Sequence, residues 1–215
     1  MCKRPDLRPP IWNITIYDKS KLSPGYWVLA PKRALERTIG TGAAYTGPAI
    51  YDGSGELVWS GSHQLDSPNI NDFRLNELDG KQVLTMLNRD LAYGVILDNS
   101  YGIQTARDIV GTSEGAQLNG HEFNVFDNSK TVIVIRNHIL PATQRERDAI
   151  GFEGDECLAT YNKFAEIDLE TGEDVFTFET LGQIGIDEST MRHDKKSVEA
   201  RCQNGWDFMW VARLA

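Results

Sequence analysis

The chain has little cysteine, with only Cys2, Cys157 and Cys202 among its 215 residues. They form no C-x-x-C pair and no zinc-ligand spacing, which excludes the common zinc modules and the thioredoxin-like redox motif. Long apolar runs are also missing, and none approaches the roughly 18 residues that a membrane-spanning helix needs. The opening MCKRPDLRPP lacks the apolar stretch of a signal peptide. We therefore expect a protein that is either intracellular or shown here without its leader.

Basic residues are outnumbered, since 22 Lys and Arg stand against 31 Asp and Glu, for a formal net charge of −9. Nucleic acid binding requires a basic face for the phosphates, and the sequence has no basic stripe that would supply one. We expect no nucleic acid partner. The apolar fraction of 40% is sufficient for a hydrophobic core. No linker rich in Pro, Gly or Ser interrupts the chain, so the sequence predicts one domain over residues 1–215.

The chain does contain a repeated phrase: a short apolar run, a turn led by aspartate, and a second apolar run. It occurs as AIYDGSGELVW, GVILDNSYGIQ and AEIDLETGEDVF around Asp52, Asp98 and Asp168, and in a related form as NELDGKQVLTM and NVFDNSKTVIVI around Asp79 and Asp127. Strands joined by Asp, Asn and Gly turns are β-hairpins. Two kinds of hairpin therefore alternate. Asp52 and Asp98 are 46 residues apart, and Asp79 and Asp127 are 48 residues apart.

This alternation predicts an all-β fold of four-stranded propeller blades, because hairpins repeated every 40–50 residues or so are typical of propellers. We assign residues 24–61 to a first blade, 72–107 to a second and 121–178 to a third. The third blade carries an insertion at 141–156, with a short helix over 142–149. Residues 205–215 are predicted to begin a further strand. A β-sandwich is the alternative, since it also spaces its turns evenly.

Three blades do not close a ring, so a partial propeller leaves two hydrophobic blade faces exposed. The sequence therefore predicts either an incomplete protein or one whose open faces bind a partner or self-associate.

Local patterns also predict an edge strand over Trp12–Tyr17 and polar loops over 60–71, 108–120 and 182–203.

The ordered phrases of the chain resemble those of the fungal branch of the arylsulfotransferase family. They are RPDLRPP, WNITIYD, SPGYWVLAP, GPAIYDGSGELVWSG, DFRLNELDG, YGVILDNSY, HEFNVFDNSKT and EIDLETGEDVFTF. The resemblance implies a six-bladed propeller that transfers a sulfuryl group from an aryl sulfate to a phenol. Histidines in the central channel would carry the transfer, with no soluble nucleotide donor. The resemblance also implies the secretory pathway, where Asn13 in the sequon Asn-Ile-Thr would be glycosylated.

The resemblance also implies site residues. The HEF motif places His121 at the start of a blade's inner strand, where it would donate to the sulfuryl group or to the departing phenolate. From its position alone, after the predicted strand Thr131–Ile135, Arg136 is a candidate for positive charge near a sulfate, and the alternative is a solvated arginine at a strand end. The family motif W-D-[YF]-[FL]-H-I-N-S is matched from Trp206 to Phe208. Trp210 stands where histidine is expected, and we therefore expect weak or no turnover.

The remaining histidines and cysteines have interpretations that involve no catalytic role. His63 and His138 are predicted to be solvated in or near loops. Cys157 and Cys202 both flank the outer part of the third predicted blade, so they would pair if the chain is secreted and stay free thiols otherwise. No metal or cofactor is expected. The alternative to an enzyme is a non-catalytic module that binds a protein or a glycan.

Overall fold

The computed structural model describes residues 10–16, 18–21, 23–31, 47–65, 69–89, 91–108, 116–126, 130–190 and 194–209. Its strands are β1 (Trp27–Leu29), β2 (Ala49–Tyr51), β3 (Leu57–Ser60), β4 (Ile70–Leu78), β5 (Lys81–Asn88), β6 (Tyr93–Leu97), β7 (Ile103–Asp108), β8 (Ala116–Phe126), β9 (Thr131–Pro141), β10 (Leu158–Asp168) and β11 (Asp174–Glu179). Short helices α1 (Ser62–Leu65), α2 (Gln144–Ala149) and α3 (Lys195–Cys202) lie between or after them. Single 3-10 turns occur at Lys19–Lys21 and Ile186–Glu188.

The strands form three antiparallel sheets, none of which is closed in the described part of the chain. The first sheet has the order β1-β2-β3, the second β4-β5-β6-β7 and the third β11-β10-β9-β8. The all-β class is confirmed. Four strands in chain order make up the second and third sheets, as the alternating hairpins predict, whereas the first sheet has three.

Aspartate side chains organise the turns of these hairpins. The Oδ1 atom of Asp52 accepts hydrogen bonds from the N–H groups of Ser54 and Glu56 at 2.8 and 3.0 Å. Asp98 and Asp168 bind the turn residues that follow them in the same way. Such Asx-turns satisfy backbone donors that would otherwise lack a partner in a tight loop. The repeated aspartates are therefore turn formers, as the sequence predicts. Asp127 lies outside the described residues.

Contacts divide the chain into two compact units. The first unit, residues 1–77 and 81–106, contains the first and second sheets and buries the apolar residues Ile50, Leu65, Ile70, Leu84, Met86, Val95 and Leu97 in one cluster. Trp59 of β3 bridges its two sheets, because its ring stacks 5.1 Å from Tyr101 and lies 6.1 Å from Phe73 of β4. That the two units form one domain stays a prediction.

The second unit, residues 78–80 and 107–215, contains the third sheet and a separate small core. Ala142, Ile150, Cys157, Ala159, Tyr161, Ile186, Val198, Cys202, Trp206 and Phe208 form this core. Its helix α2 lies within the predicted 142–149 segment and begins with a capping box. The N–H of Glu146 donates to Thr143 Oγ1 at 3.3 Å, and the N–H of Thr143 donates to Glu146 Oε2 at 2.8 Å. This reciprocal pair satisfies two donors at the helix start.

Two predictions of regular structure are wrong over the described residues. Residues 11–16 form no strand, although they alternate in polarity, and most of their surface is exposed. Trp12 packs edge-on against Tyr51, with the ring centroids 5.6 Å apart. Residues 205–209 also form no strand. Trp206 instead makes one isolated parallel bridge to Ala159, because its ring is buried in the small core. Residues 210–215 lie outside the described part.

The predicted loops 108–120 and 182–203 are wrong in part. Strand β8 already begins at Ala116, and Asp108 still belongs to β7. Within 182–203 lies helix α3, which Asp194 caps by accepting from the N–H of Ser197 at 3.1 Å. Only Val198 and Cys202 of this helix are buried. Such a narrow apolar stripe does not stand out in a charged sequence.

Candidate functional site

His121 lies in strand β8, at one edge of the third sheet. Asn119 pairs with Ile135 of β9 and Phe123 pairs with the adjacent Val134, so residues 120–122 bulge out between the two pairs. Bulges of this kind re-aim side chains at sheet edges and are common beside functional sites. His121 is exposed, whereas the neighbouring Glu122 is fully buried. The two neighbouring side chains therefore lie in different surroundings, one in solvent and one in the interior.

The ring of His121 is oriented by an asparagine pair. Asn119 donates from Nδ2 to Asn137 Oδ1 at 3.3 Å, so its Oδ1 is the atom that faces His121 Nδ1, at 2.5 Å. An amide oxygen can only accept, and Nδ1 therefore carries a proton in this arrangement. Asn119 therefore fixes the orientation of the His121 ring through the Nδ1 atom.

Arg136 lies in β9, and its side chain is only 3% exposed. Its Nη1 atom donates to both carboxylate oxygens of Asp174 in β11, at 3.0 and 2.7 Å. Lys163 lies between them on β10 and reaches Asp174 at 3.7 Å and Glu179 at 3.2 Å. Arg136 is thus directed towards β11, at the edge of the sheet opposite to the β8 strand of His121. The structure therefore does not bring the two candidate site residues, His121 and Arg136, together.

The other predicted residues lie in different places. Cys157 and Cys202 are joined by a disulfide, which fastens α3 to the start of β10. Asn13 is exposed in a segment without regular structure. His63 is exposed, but His138 lies in strand β9 and its Nε2 atom is buried, so the prediction of a solvated loop residue is wrong for His138. Cys2 and Trp210 lie outside the described residues.

A surface that the sequence did not single out covers one face of the third sheet. Antiparallel register places Ile133 and Phe176 opposite Glu166, and Phe178 opposite Phe164. The same face carries Phe126 at the end of β8. Phe176, Phe178 and Phe126 are 59%, 40% and 39% exposed. We call Phe126, Ile133, Phe164, Phe176 and Phe178 the phenylalanine face.

Strand β11 borders the phenylalanine face and leaves one edge of the third sheet open to solvent. All six of its residues are exposed, and it lies at the edge of the sheet. An edge strand presents backbone N–H and C=O groups that another strand can pair with. The sequence DVFTFE could have indicated this surface, because apolar residues on both faces of a solvent-exposed edge strand are unusual.

An acidic rim borders the phenylalanine face at the β10–β11 turn. Asp168, Glu170 and Glu173 lie in or beside this turn, and Glu166 lies on the face itself. Asp168 holds the turn through the N–H groups of Glu170 and Thr171. The surface therefore combines exposed aromatic rings with carboxylates along one side.

No protein family, no curated protein and no solved structure matches the chain. Within the described residues, no helix is long and apolar enough to cross a membrane. The same residues form no group of three or more His, Cys, Asp or Glu side chains that could hold a metal ion.

Proposed function

We propose that the protein is a non-catalytic binding module whose third sheet engages another protein. The single observation that supports this most strongly is the phenylalanine face beside the open edge of β11. Strand addition to such an edge gives affinity through backbone hydrogen bonds and specificity through alternate side chains.

The exposed rings define how much affinity the surface can give. Phe126, Phe176 and Phe178 together leave roughly 300 Å² of aromatic surface accessible, from the exposed fractions above and the area of about 200 Å² that a phenylalanine buries. Covering it would contribute about 7 kcal/mol. Association costs about 4 kcal/mol or more, so the rings alone support a weak complex, and pairing along β11 must add to it.

The acidic rim defines the chemistry of the partner. We propose an extended segment with alternating apolar residues and with lysine or arginine at its ends, because opposite charges at a rim speed encounter and fix the register. A second copy of this chain fits less well. Antiparallel pairing of β11 with itself about its midpoint would place Asp174 opposite Glu179, and like charges directly opposite one another destabilise a strand pair.

The experiment is a fluorescence titration of the protein with a short labelled peptide of alternating valine and threonine that carries lysines at both ends. We expect saturable binding, at least about tenfold weaker for the same peptide with glutamate ends. Replacement of Phe176 by serine should weaken binding roughly tenfold or more, from the area lost. Val175 is the matched control, because it is 57% exposed on the same strand but outside the phenylalanine face. Val175→Ser should change affinity less than about threefold.

Two results would refute this proposal. Equal binding of the lysine-ended and glutamate-ended peptides would remove the role of the acidic rim. A dimer in sedimentation equilibrium that Phe176→Ser dissociates would show that the partner is a second copy instead.

The propeller arrangement belongs to the same proposal. The second and third sheets each have four antiparallel strands in chain order, which is the composition of a blade. In a propeller, the face of one blade packs on the next. The phenylalanine face would then be the surface against which a further blade packs.

A second candidate is sulfuryl transfer at His121, which the orientation of its ring favours. Asn119 holds the ring at Nδ1, and an imidazolium at this exposed position would stabilise negative charge on a sulfuryl oxygen or on the departing phenolate. The test is phenol sulfation with an aryl sulfate donor, where we expect weak or no turnover because Trp210 replaces a motif histidine. Robust turnover that His121→Ala abolishes would establish this activity and contradict the non-catalytic assignment.

A further inference from the structure

Asparagine followed by glycine occurs twice in the chain, at Asn119–Gly120 and at Asn204–Gly205. This dipeptide has a reaction of its own. The main-chain nitrogen of the glycine attacks the side-chain amide carbon of the asparagine, because glycine has no Cβ to obstruct the approach. A five-membered succinimide ring forms and ammonia leaves. The reaction requires an asparagine side chain that can move and a glycine nitrogen that is not held in a hydrogen bond.

The fold protects Asn119 from this reaction. Asn119 lies in strand β8 and is 6% exposed. Its Nδ2 atom donates to Asn137 Oδ1 at 3.3 Å, and its Oδ1 atom faces His121 Nδ1. The strand must open locally before the side chain can close a ring on the next nitrogen. Such an opening is rarer for a buried strand residue than for an exposed turn.

Asn204 is in a different environment. It is exposed, and it lies in the turn between the end of α3 and Trp206. Its Nδ2 atom donates to the carbonyl of Ala200 at 2.9 Å, and a single hydrogen bond at the solvent-exposed surface breaks readily. Within the described residues, the N–H of Gly205 donates to no acceptor. The native structure therefore leaves both reacting groups of this pair available.

We propose that Asn204 is a site of spontaneous deamidation in the folded protein. The nitrogen of Gly205 forms a bond to Cγ of Asn204, the bond from Cγ to Nδ2 breaks, and the proton of the Gly205 nitrogen leaves with the amide group as ammonia. Water then adds to one of the two carbonyl carbons of the succinimide. One opening gives aspartate. The other gives isoaspartate, in which the main chain runs through the side-chain carbon.

The isoaspartate product would disturb the docking of Trp206. The disulfide to Cys157 fixes Cys202 at one end of the connecting segment. At the other end, Trp206 donates from its N–H to the Leu158 carbonyl at 2.8 Å and accepts from the N–H of Thr160 at 2.9 Å. Isoaspartate adds one carbon to the main chain between these two fixed points. Because the ring of Trp206 is buried in the small core, the longer connection should loosen that core.

The test is peptide mapping by mass spectrometry after the folded full chain has been incubated at neutral pH in water enriched in the heavy oxygen isotope. We expect the peptide with Asn204 to gain heavy oxygen, as a mixture of aspartate and isoaspartate, at least about tenfold faster than the peptide with Asn119. In concentrated urea the two rates should become similar, since both asparagines precede glycine. Asn204→Gln is the matched control, because it keeps an amide but cannot form the five-membered ring, and it should remove the fast reaction.

The effect on the core is measured on the isoaspartate form after its chromatographic separation. Its tryptophan emission should shift to longer wavelength and its midpoint of urea unfolding should fall, relative to fresh protein and to equally aged Asn204→Gln. Deamidation of Asn204 no faster than that of Asn119 in the folded chain would overturn the proposal. An isoaspartate form with the midpoint of fresh protein would also contradict it, because Trp206 would then be docked independently of the connecting segment.

Discussion

Removal of the disulfide between Cys157 and Cys202 is expected to destabilise the second unit strongly. The perturbation is the double replacement Cys157→Ala and Cys202→Ala, which leaves neither thiol behind. Both positions are buried in the small core, where Cys202 ends α3 and Cys157 precedes β10. The bond therefore ties the helix and the Trp206 segment to the sheet.

The magnitude follows from the length of chain that the disulfide closes. The two cysteines are 45 residues apart, and a cross-link of that span lowers the entropy of the unfolded chain by an amount worth about 4 kcal/mol at 25 °C. With a urea m-value of about 1.5 kcal/mol/M, the midpoint of unfolding should fall by roughly 2–3 M.

The assay is urea unfolding followed by circular dichroism and tryptophan fluorescence, with and without a thiol reductant. The wild type should lose most of the 2–3 M in reductant, and the double alanine variant should unfold at the same low midpoint in both conditions. An unchanged wild-type midpoint in reductant would show that the two cysteines are not paired as the structure has them.

Three further predictions concern single side chains of the second unit. Thr143→Ala removes a capping box and should cost about 1 kcal/mol, read from the melting temperature. Asp174→Asn removes a charge that faces the buried Arg136 and should cost about 2–3 kcal/mol in urea unfolding, whereas Glu179→Gln at a half-exposed pair should cost under about 1 kcal/mol. Burial, a neighbouring carboxylate and the hydrogen bond to it raise the pKa of Tyr161 above its ordinary 10.0. The unfolded chain therefore releases this proton first, so stability falls as the pH rises above 10, and Tyr161→Phe should flatten that slope by up to about 1.4 kcal/mol per pH unit. An unchanged midpoint in either of the first two cases, or an unchanged alkaline slope in the third, would contradict the corresponding contact.

The hairpins could be predicted from the sequence because their turns are encoded locally. Asp52 and Asp98 cap their own loops through hydrogen bonds to residues two and four positions on, and such short-range chemistry is visible as a pattern. Asp79 and Gly80 both adopt positive φ, at 53° and 67°, as a two-residue hairpin turn requires. The order of the strands within each sheet then follows their order along the chain.

The site residues were less predictable because they depend on partners far away in sequence. Arg136 binds Asp174, which lies 38 residues later in the chain, and no local sequence pattern predicts this pair. The sequence around Asn137 and His138 suggests a loop. Strand β9 nevertheless continues through both residues, because β10 pairs with β9 over 11 residues. Helix α3 has only two buried positions, which a disulfide and the small core hold in place. Long-range contacts of this kind override local propensity.

If β11 and the phenylalanine face bind a basic, strand-forming partner, amide hydrogen exchange in β11 should slow when that partner is present. The measurement is hydrogen exchange of the protein with and without the lysine-ended peptide. We predict slower exchange in Asp174–Glu179 when the peptide is present, and no such slowing in Phe176→Ser. Saturating peptide that leaves the exchange of β11 unchanged, or that protects β8 instead, would contradict the account.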